Sequence, residues 1–140
     1  MNSSARELGL TISESHAEQF VRYLTHLITW NKTINLTAIT DPKEIITKHF
    51  VDSLTALVST NFRQDSIVLD VGSGGGFPGI PLKIIRSDIQ LTLVEPVQKK
   101  CSFLNSVIGL LQLRGVSTFA GTIEQYAKQA LTQSIDAVVV

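Results

Sequence analysis

The stretch Ile67-Val-Leu-Asp-Val-Gly-Ser-Gly-Gly-Gly-Phe-Pro-Gly79 decides the fold. Val68, Leu69 and Val71 have the β-branched, apolar character of a buried parallel strand. Asp70 stands at the C-terminal end of that strand. Gly72, Gly74, Gly75 and Gly76 follow, removing each Cβ that would hold a ligand away from the backbone. A helix is expected to start near Pro78, with its first N–H groups facing the same crevice. Strand, glycine turn and helix start are the parts from which an open α/β sheet builds a nucleotide-type site.

Gly74, Gly76 and Gly79 match the dinucleotide pattern G-x-G-x-x-G, but that match alone is weak. In the dinucleotide fingerprint the loop holds a doubly negative pyrophosphate. Here Asp70 stands two residues before the first glycine, and Pro78 and Pro81 crowd the helix start. A carboxylate repels a pyrophosphate and suits a ligand with a cationic end. S-adenosylmethionine, with an ammonium, a sulfonium and no phosphate, is such a ligand. Glu95 follows the apolar run Leu91-Thr-Leu-Val94, which reads as the next strand. An acid there, about 20 residues beyond the glycines, accepts hydrogen bonds from ribose hydroxyls. Glu95 therefore points to an adenosine ligand, and Asp70 to the methyl donor over a dinucleotide. The plainer reading of Asp70 is that it caps the helix or turn.

Outward from this loop the chain divides in two. Residues 62–140 alternate strand and helix, with strands expected at 66–71, 90–95, 116–119 and 135–140 and helices at about 79–86, 97–112 and 122–131. The alternation implies βαβ units and a parallel sheet, the α/β fold of a Rossmann-like core. Residues 1–61 form a helical extension, and the two parts are expected to make one domain. From Ala17, the positions Phe20, Val21, Leu24, Leu27 and Ile28 share one helical face. Either Ser13 caps that helix, or Ser15 does so in a capping box with Glu18. A second helix starts at Asp41-Pro42, with an apolar stripe of Ile45, Ile46, Phe50, Leu54 and Leu57. Ile135-Asp-Ala-Val-Val-Val140 reads as a fourth buried strand in which the chain stops. A doubly wound sheet normally continues, so the expectation is an incomplete sheet, either shortened or with its edge covered by a partner.

Of the 140 residues 44% are hydrophobic and 17% charged, with formal net charge zero. This is a globular composition without a global basic field for nucleic acid, so any RNA contact must come from a local patch. Cys101 is the only cysteine, which excludes an internal disulfide and a cysteine metal cluster. No metal site is expected. The first residues lack the apolar core of a signal peptide, and no run approaches the length of a membrane span. A cytoplasmic location, no membrane contact and a monomer are expected.

Three strings in this order, Trp30-Asn-Lys-Thr-Ile-Asn-Leu-Thr-Ala38, Lys48-His-Phe-Val-Asp-Ser-Leu54 and Leu69-Asp-Val-Gly-Ser-Gly-Gly-Gly-Phe-Pro-Gly-Ile-Pro-Leu82, resemble the bacterial small-subunit ribosomal RNA methyltransferase G family, also called glucose-inhibited division protein B. Lys99-Lys-Cys-Ser-Phe-Leu104 is similar to it as well, and the resemblance covers essentially the whole chain. It implies a class I methyltransferase that moves a methyl group from S-adenosylmethionine to guanine N7 of small-subunit ribosomal RNA, as part of rRNA processing. It also implies that Gly72 and Phe77 line the cofactor, that Ile123 and Glu124 contact the adenine region, and that Glu95 occupies the position after the second strand. The same resemblance implies a serine-arginine-alanine motif and further strands beyond residue 140. Two alternatives stand beside it: a cofactor-binding but inactive fragment, and an NAD-type oxidoreductase.

Guanine N7 carries its own lone pair, so the transfer needs no general base, and no catalytic residue is assigned. Catalysis then comes mainly from alignment. The target base must be exposed or flipped to enter the pocket. Lys32, Lys48, Lys83, Arg86, Lys99 and Lys100 are candidate phosphate contacts, each weighed against a solvated surface charge. His49 is either a hydrogen-bonded structural histidine or a group that positions substrate or loop, with Asp52 as its candidate partner. Trp30 either stacks on a base or anchors the first helix on the sheet. Cys101 reads as a small, semi-buried residue. Asn35 and Thr37 are expected to bond backbone in the helix connection.

Overall fold

The apolar run around Val68 forms a parallel strand, β1 (Ile67–Val71), in the computed structural model, which describes residues 1–130 and 132–140. It is flanked by β2 (Gln90–Glu95) and β4 (Ala137–Val139), and β3 (Val116–Ala120) lies beyond β2. The order is β3-β2-β1-β4 and every pairing is parallel, with Asp70 opposite Leu93 and Val139. Between the strands run α5 (Gly79–Ile85), α6 (Gln98–Leu110) and α7 (Ile123–Gln129). This is the α/β architecture with a parallel sheet that the strand–helix alternation predicts. The chain leaves β1 toward β2 and β3, then returns to the other side of β1 as β4. The C-terminal ends of β1 and β4 therefore form a topological switch point, where open α/β sheets bind ligands.

Four α-helices precede the sheet, α1 (Asn2–Glu7), α2 (Glu14–Asn31), α3 (Pro42–Ile45) and α4 (Asp52–Ser59), with a π-helical turn between the last two. The first, α1, was not expected from the sequence. Ser13 caps α2 by accepting from His16 N–H, in a box completed by the His16 side chain and not by Ser15 with Glu18. The buried face of α2 is Phe20, Tyr23 and Leu27. Val21, expected on that face, is 62% exposed, because the core subtends a narrower arc than the apolar residues do. Asp41 caps α3 by accepting from Glu44 N–H, with Pro42 at the first position.

The expected single second helix is broken by a π-helical turn at Ile46–Val51. Ile45 and Phe50 are each 1% exposed. Five residues apart, they would lie roughly 140° around an α-helix from each other. The wider turn brings both to the core; such turns concentrate at functional sites. Ile46 and Leu57 are only partly buried.

One hydrophobic core runs from Phe20, Tyr23, Leu27, Phe50 and Leu54 into Val68, Leu91, Leu93, Phe103 and Leu104. Trp30 packs edge-on against Phe103 of α6, with centroids 5.7 Å apart. It thus anchors α2 on a helix and not on the sheet. The expected helix at 122–131 ends at Gln129, and Leu131 lies outside the described residues. Val138 is 58% exposed, so β4 is not buried on both faces as its composition suggested.

Candidate functional site

The glycines after β1 fall into two classes. Gly72 (φ +72°) and Gly74 (φ +53°) have left-handed backbones, and a Cβ on either would meet no atom closer than 4.0 Å. These two leave open space beside the loop. Gly75, Gly76 and Gly79, by contrast, are small because the protein packs against them. A Cβ on Gly76 would lie 2.6 Å from both Ile80 Cδ1 and the Tyr23 hydroxyl; one on Gly79 would lie 2.6 Å from Asp70 Oδ2. The expectation that Gly75 and Gly76 admit a ligand is therefore corrected: they admit side chains of the core.

Six of the loop's N–H groups, those of Gly72, Ser73, Gly74, Gly76, Phe77 and Gly79, are engaged within the chain. Gly72 and Ser73 donate to the Val94 carbonyl at 2.9 and 3.3 Å, and Gly76 and Phe77 to the Ser73 carbonyl at 2.7 and 3.1 Å. Gly74 donates to Glu95 Oε1 at 2.9 Å and Gly79 to Asp70 Oδ2 at 3.0 Å. A pyrophosphate cradle needs such donors free and positive. Here they already face carbonyls and two carboxylates, which disfavours the dinucleotide reading.

Asp70 is fully buried. It caps α5 through Gly79, as its plainer reading held, while its Oδ1 has no hydrogen-bond partner among the described residues. Burial pushes its carboxyl from the ordinary 3.8 up to about 7, against the pull of the Gly79 N–H. It lies beneath the loop, fully buried, and holds the loop to the start of α5 through Gly79. Its charge also adds to burial in raising the Tyr23 hydroxyl well above its usual range.

Glu95 joins three loops. Its Oε1 accepts from Gly74, its Oε2 accepts from Val97 N–H at 2.8 Å, and its carbonyl accepts from Gly121 N–H at 3.0 Å. The turns after β1, β2 and β3 are thus tied at one residue, which is 4% exposed. Each carboxylate oxygen retains a second acceptor lobe. Ile123 and Glu124 begin α7 just beyond Gly121, Ile123 half-buried and Glu124 exposed. The Cys101 thiol, buried beneath, donates to the Glu95 carbonyl at 3.1 Å.

Phe77 is half-buried and stacks on His49, with centroids 4.4 Å apart and planes 13° apart. It also lies 5.7 Å from Tyr23 and 5.8 Å from Phe50. Tyr23 donates its hydroxyl to the Gly75 carbonyl. An aromatic column from α2 and the π turn thus holds the loop. Sequence reasoning passed over Tyr23; its spacing of three from Phe20 and four from Leu27 was the available signal. The His49 Nε2 hydrogen-bonds Thr37 Oγ1 at 2.8 Å, and burial lowers the imidazole pKa, partly opposed by Asp52. Asn31 Oδ1 accepts from Leu36 and Thr37 N–H, the connecting role expected of Asn35.

Two candidate phosphate contacts serve the fold instead. Lys83 is 3% exposed and donates to the carbonyls of Ser87 and Ile89, while Arg86 forks onto Asp88 at 2.8 Å. Lys48 pairs with Glu44 at 2.9 Å on the surface. Lys99 is exposed and Lys100 half-buried in the first turn of α6. Among the described residues no three His, Cys, Asp or Glu side chains stand together as metal ligands, and no helix is long and apolar enough to cross a membrane.

The family model for rRNA small subunit methyltransferase G matches residues 16–140. The chain is 44% identical over 128 residues to a protein of Clostridium beijerinckii, covering 91% of this chain and 54% of that one. It is 42% identical over 129 residues to one of Desulforamulus reducens, covering 92% and 54%. It is 42% identical over 124 residues to one of Caldanaerobacter subterraneus, covering 89% and 52%. All three relatives carry the name ribosomal RNA small subunit methyltransferase G. The chain spans about half the length of the curated relatives it matches.

Proposed function

Because this chain belongs to the rRNA small subunit methyltransferase G family, we propose that it binds S-adenosylmethionine and takes part in methylating guanine N7 in small-subunit ribosomal RNA. One observation carries the reading. The glycine loop leaves open space beside Gly72 and Gly74, while the N–H groups of Gly72, Ser73, Gly74, Gly76, Phe77 and Gly79 are engaged and two carboxylates lie at its base. That arrangement favours a cation over a diphosphate. The orphaned, buried Oδ1 of Asp70 fits a ligand whose positive end faces the loop.

When bound, S-adenosylmethionine supplies a methyl group on a positively charged sulfur that the N7 lone pair can attack directly. The chain's own residues bind and orient. Gly72 and Gly74 let the ligand approach the backbone, and Phe77 lines the crevice. Glu95 uses its remaining acceptor lobes for ribose hydroxyls. Ile123 packs against the adenine face, with Glu124 at its edge. Asp70, with its carboxyl raised to about 7, supplies negative potential from below in its ionised fraction, which a cationic ligand would favour. No side chain is assigned a proton transfer, because N7 has no proton to lose. Rate enhancement comes from holding N7, carbon and sulfur in line in a fixed polar surrounding. Lys99 and Lys100 are the proposed phosphate contacts.

The proposed location is the cytoplasm and the proposed state a monomer, in which residues 1–61 and 62–140 act as one domain. Calorimetric titration with S-adenosylhomocysteine and with NAD tests the cofactor half: binding of the first and none of the second is expected, and the reverse overturns it. Transfer of a labelled methyl group to small ribosomal subunits tests the reaction. Cofactor binding without incorporation would refute catalysis by this chain.

A further inference from the structure

A cavity of about 240 Å³ lies between the π turn with α4 on one side and Phe77-Pro78 on the other, with Val140 at its edge. It sits at the switch point, beside the end of β4. Its volume falls below the ~300–1,000 Å³ of a site for a whole drug-sized ligand, which suits a single base. Phe77 belongs both to the glycine loop and to this wall, so the cavity and the proposed cofactor crevice meet there.

The polar groups lining it are mostly committed elsewhere. His49 is held by Thr37, and Lys48 by Glu44. Ser53 donates to the His49 carbonyl and Thr55 to the Asp52 carbonyl. The Asp52 carboxylate alone in this set has no hydrogen-bond or ion-pair partner among the described residues. Asp52 opens α4 and is exposed. A carboxylate accepts and does not donate. On the Watson–Crick edge guanine offers two adjacent donors, N1–H and the N2 amino group, which a carboxylate takes side by side. Adenine presents an acceptor at N1 and has no N2 amino group. Guanine N7 lies on the opposite edge of the base, so capture through N1 and N2 leaves N7 facing away from Asp52.

We propose that Asp52 is the guanine-reading residue of the acceptor pocket, selecting the base by its N1–H and N2 amino donors. This rests on the methyltransferase reading above. Lys48 and His49 shape the pocket and supply no base discrimination.

The test titrates GMP, IMP and AMP by NMR into the full chain saturated with S-adenosylhomocysteine. GMP should bind more tightly than IMP, which lacks the N2 amino group, and IMP more tightly than AMP. Asp52→Asn should lower GMP affinity about 10- to 100-fold, the range for removing one bidentate pair to a base, with S-adenosylhomocysteine affinity and thermal midpoint unchanged. Asp52→Glu should keep the order GMP over AMP. Equal binding of the three nucleotides, or an Asp52→Asn chain that retains the preference, overturns the assignment while leaving the cofactor reading intact. A wild-type chain that does not bind S-adenosylhomocysteine overturns both.

Discussion

Replacing Asp70 with asparagine separates the cost of its buried charge from the benefit of its cap. The side chain has no exposed surface, one oxygen bonded to Gly79 N–H at 3.0 Å and the other without a partner. Its folded-state pKa is raised from 3.8 to about 7. Between these values the folded chain keeps a proton that the unfolded chain has lost. Stability from this group therefore falls as pH rises through that window, and the penalty is complete above pH 7. Each tenfold change in proton affinity is worth ~1.4 kcal/mol. The full penalty is thus about 4 kcal/mol, a large share of the ~5–15 kcal/mol that holds a typical domain together. Asp70→Asn keeps an acceptor for Gly79 and cannot ionise. Any fixed cost of the amide is the same at every pH. The stability of the variant minus that of the wild type should therefore grow by about 4 kcal/mol between pH 4 and pH 8. Urea unfolding across that range measures it. With slopes of ~1–3 kcal/mol per molar, the midpoint difference should move by roughly 2 M. A difference that stays constant with pH would show that Asp70 titrates as it does in the unfolded chain, and would refute the reasoning.

The two classes of glycine predict opposite phenotypes. Gly79→Ala drives a Cβ to 2.6 Å from Asp70 Oδ2 and 2.8 Å from Leu93 Cδ2, so thermal or urea unfolding should show a loss of about 1–3 kcal/mol or more. Gly72→Ala meets only open space at φ +72°; it should cost about 1–2 kcal/mol in backbone strain yet lower S-adenosylhomocysteine affinity in calorimetry more than Gly79→Ala does. Lys83→Met removes the donor to the Ser87 and Ile89 carbonyls and should destabilise by about 1–3 kcal/mol without changing RNA affinity. Lys99→Ala with Lys100→Ala should do the reverse, leaving stability alone and lowering the slope of log affinity against log salt by about 1 for each phosphate no longer neutralised.

Much of this site can be read from local sequence. β1 was legible from Val68, Leu69 and Val71, and the turn after it from its glycines, because strand preference and left-handed backbone are properties of a few adjacent residues. The cap at Asp41 was legible for the same reason, whereas for α2 the sequence left Ser13 and Ser15 as alternatives and the structure chose Ser13. The π turn was not: Ile45, Ile46, Phe50, Leu54 and Leu57 read as one α-helical stripe, and only the demand that Ile45 and Phe50 share a core widened the turn.

Sequence alone determined the strand–helix alternation, the glycine loop with an acid on either side, and the family to which these motifs belong. Tertiary structure decided what each polar group does. It placed Asp70 beneath the loop, made Glu95 the tie between three turns, and turned Lys83 and Arg86 from candidate phosphate contacts into internal donors. It also separated glycines beside open space from glycines that admit a neighbouring side chain. The physical reason is range. Backbone preference is set within a turn or a strand, whereas the dielectric around a charge and the partner of a donor are set by residues tens of positions away, brought near only when the core closes.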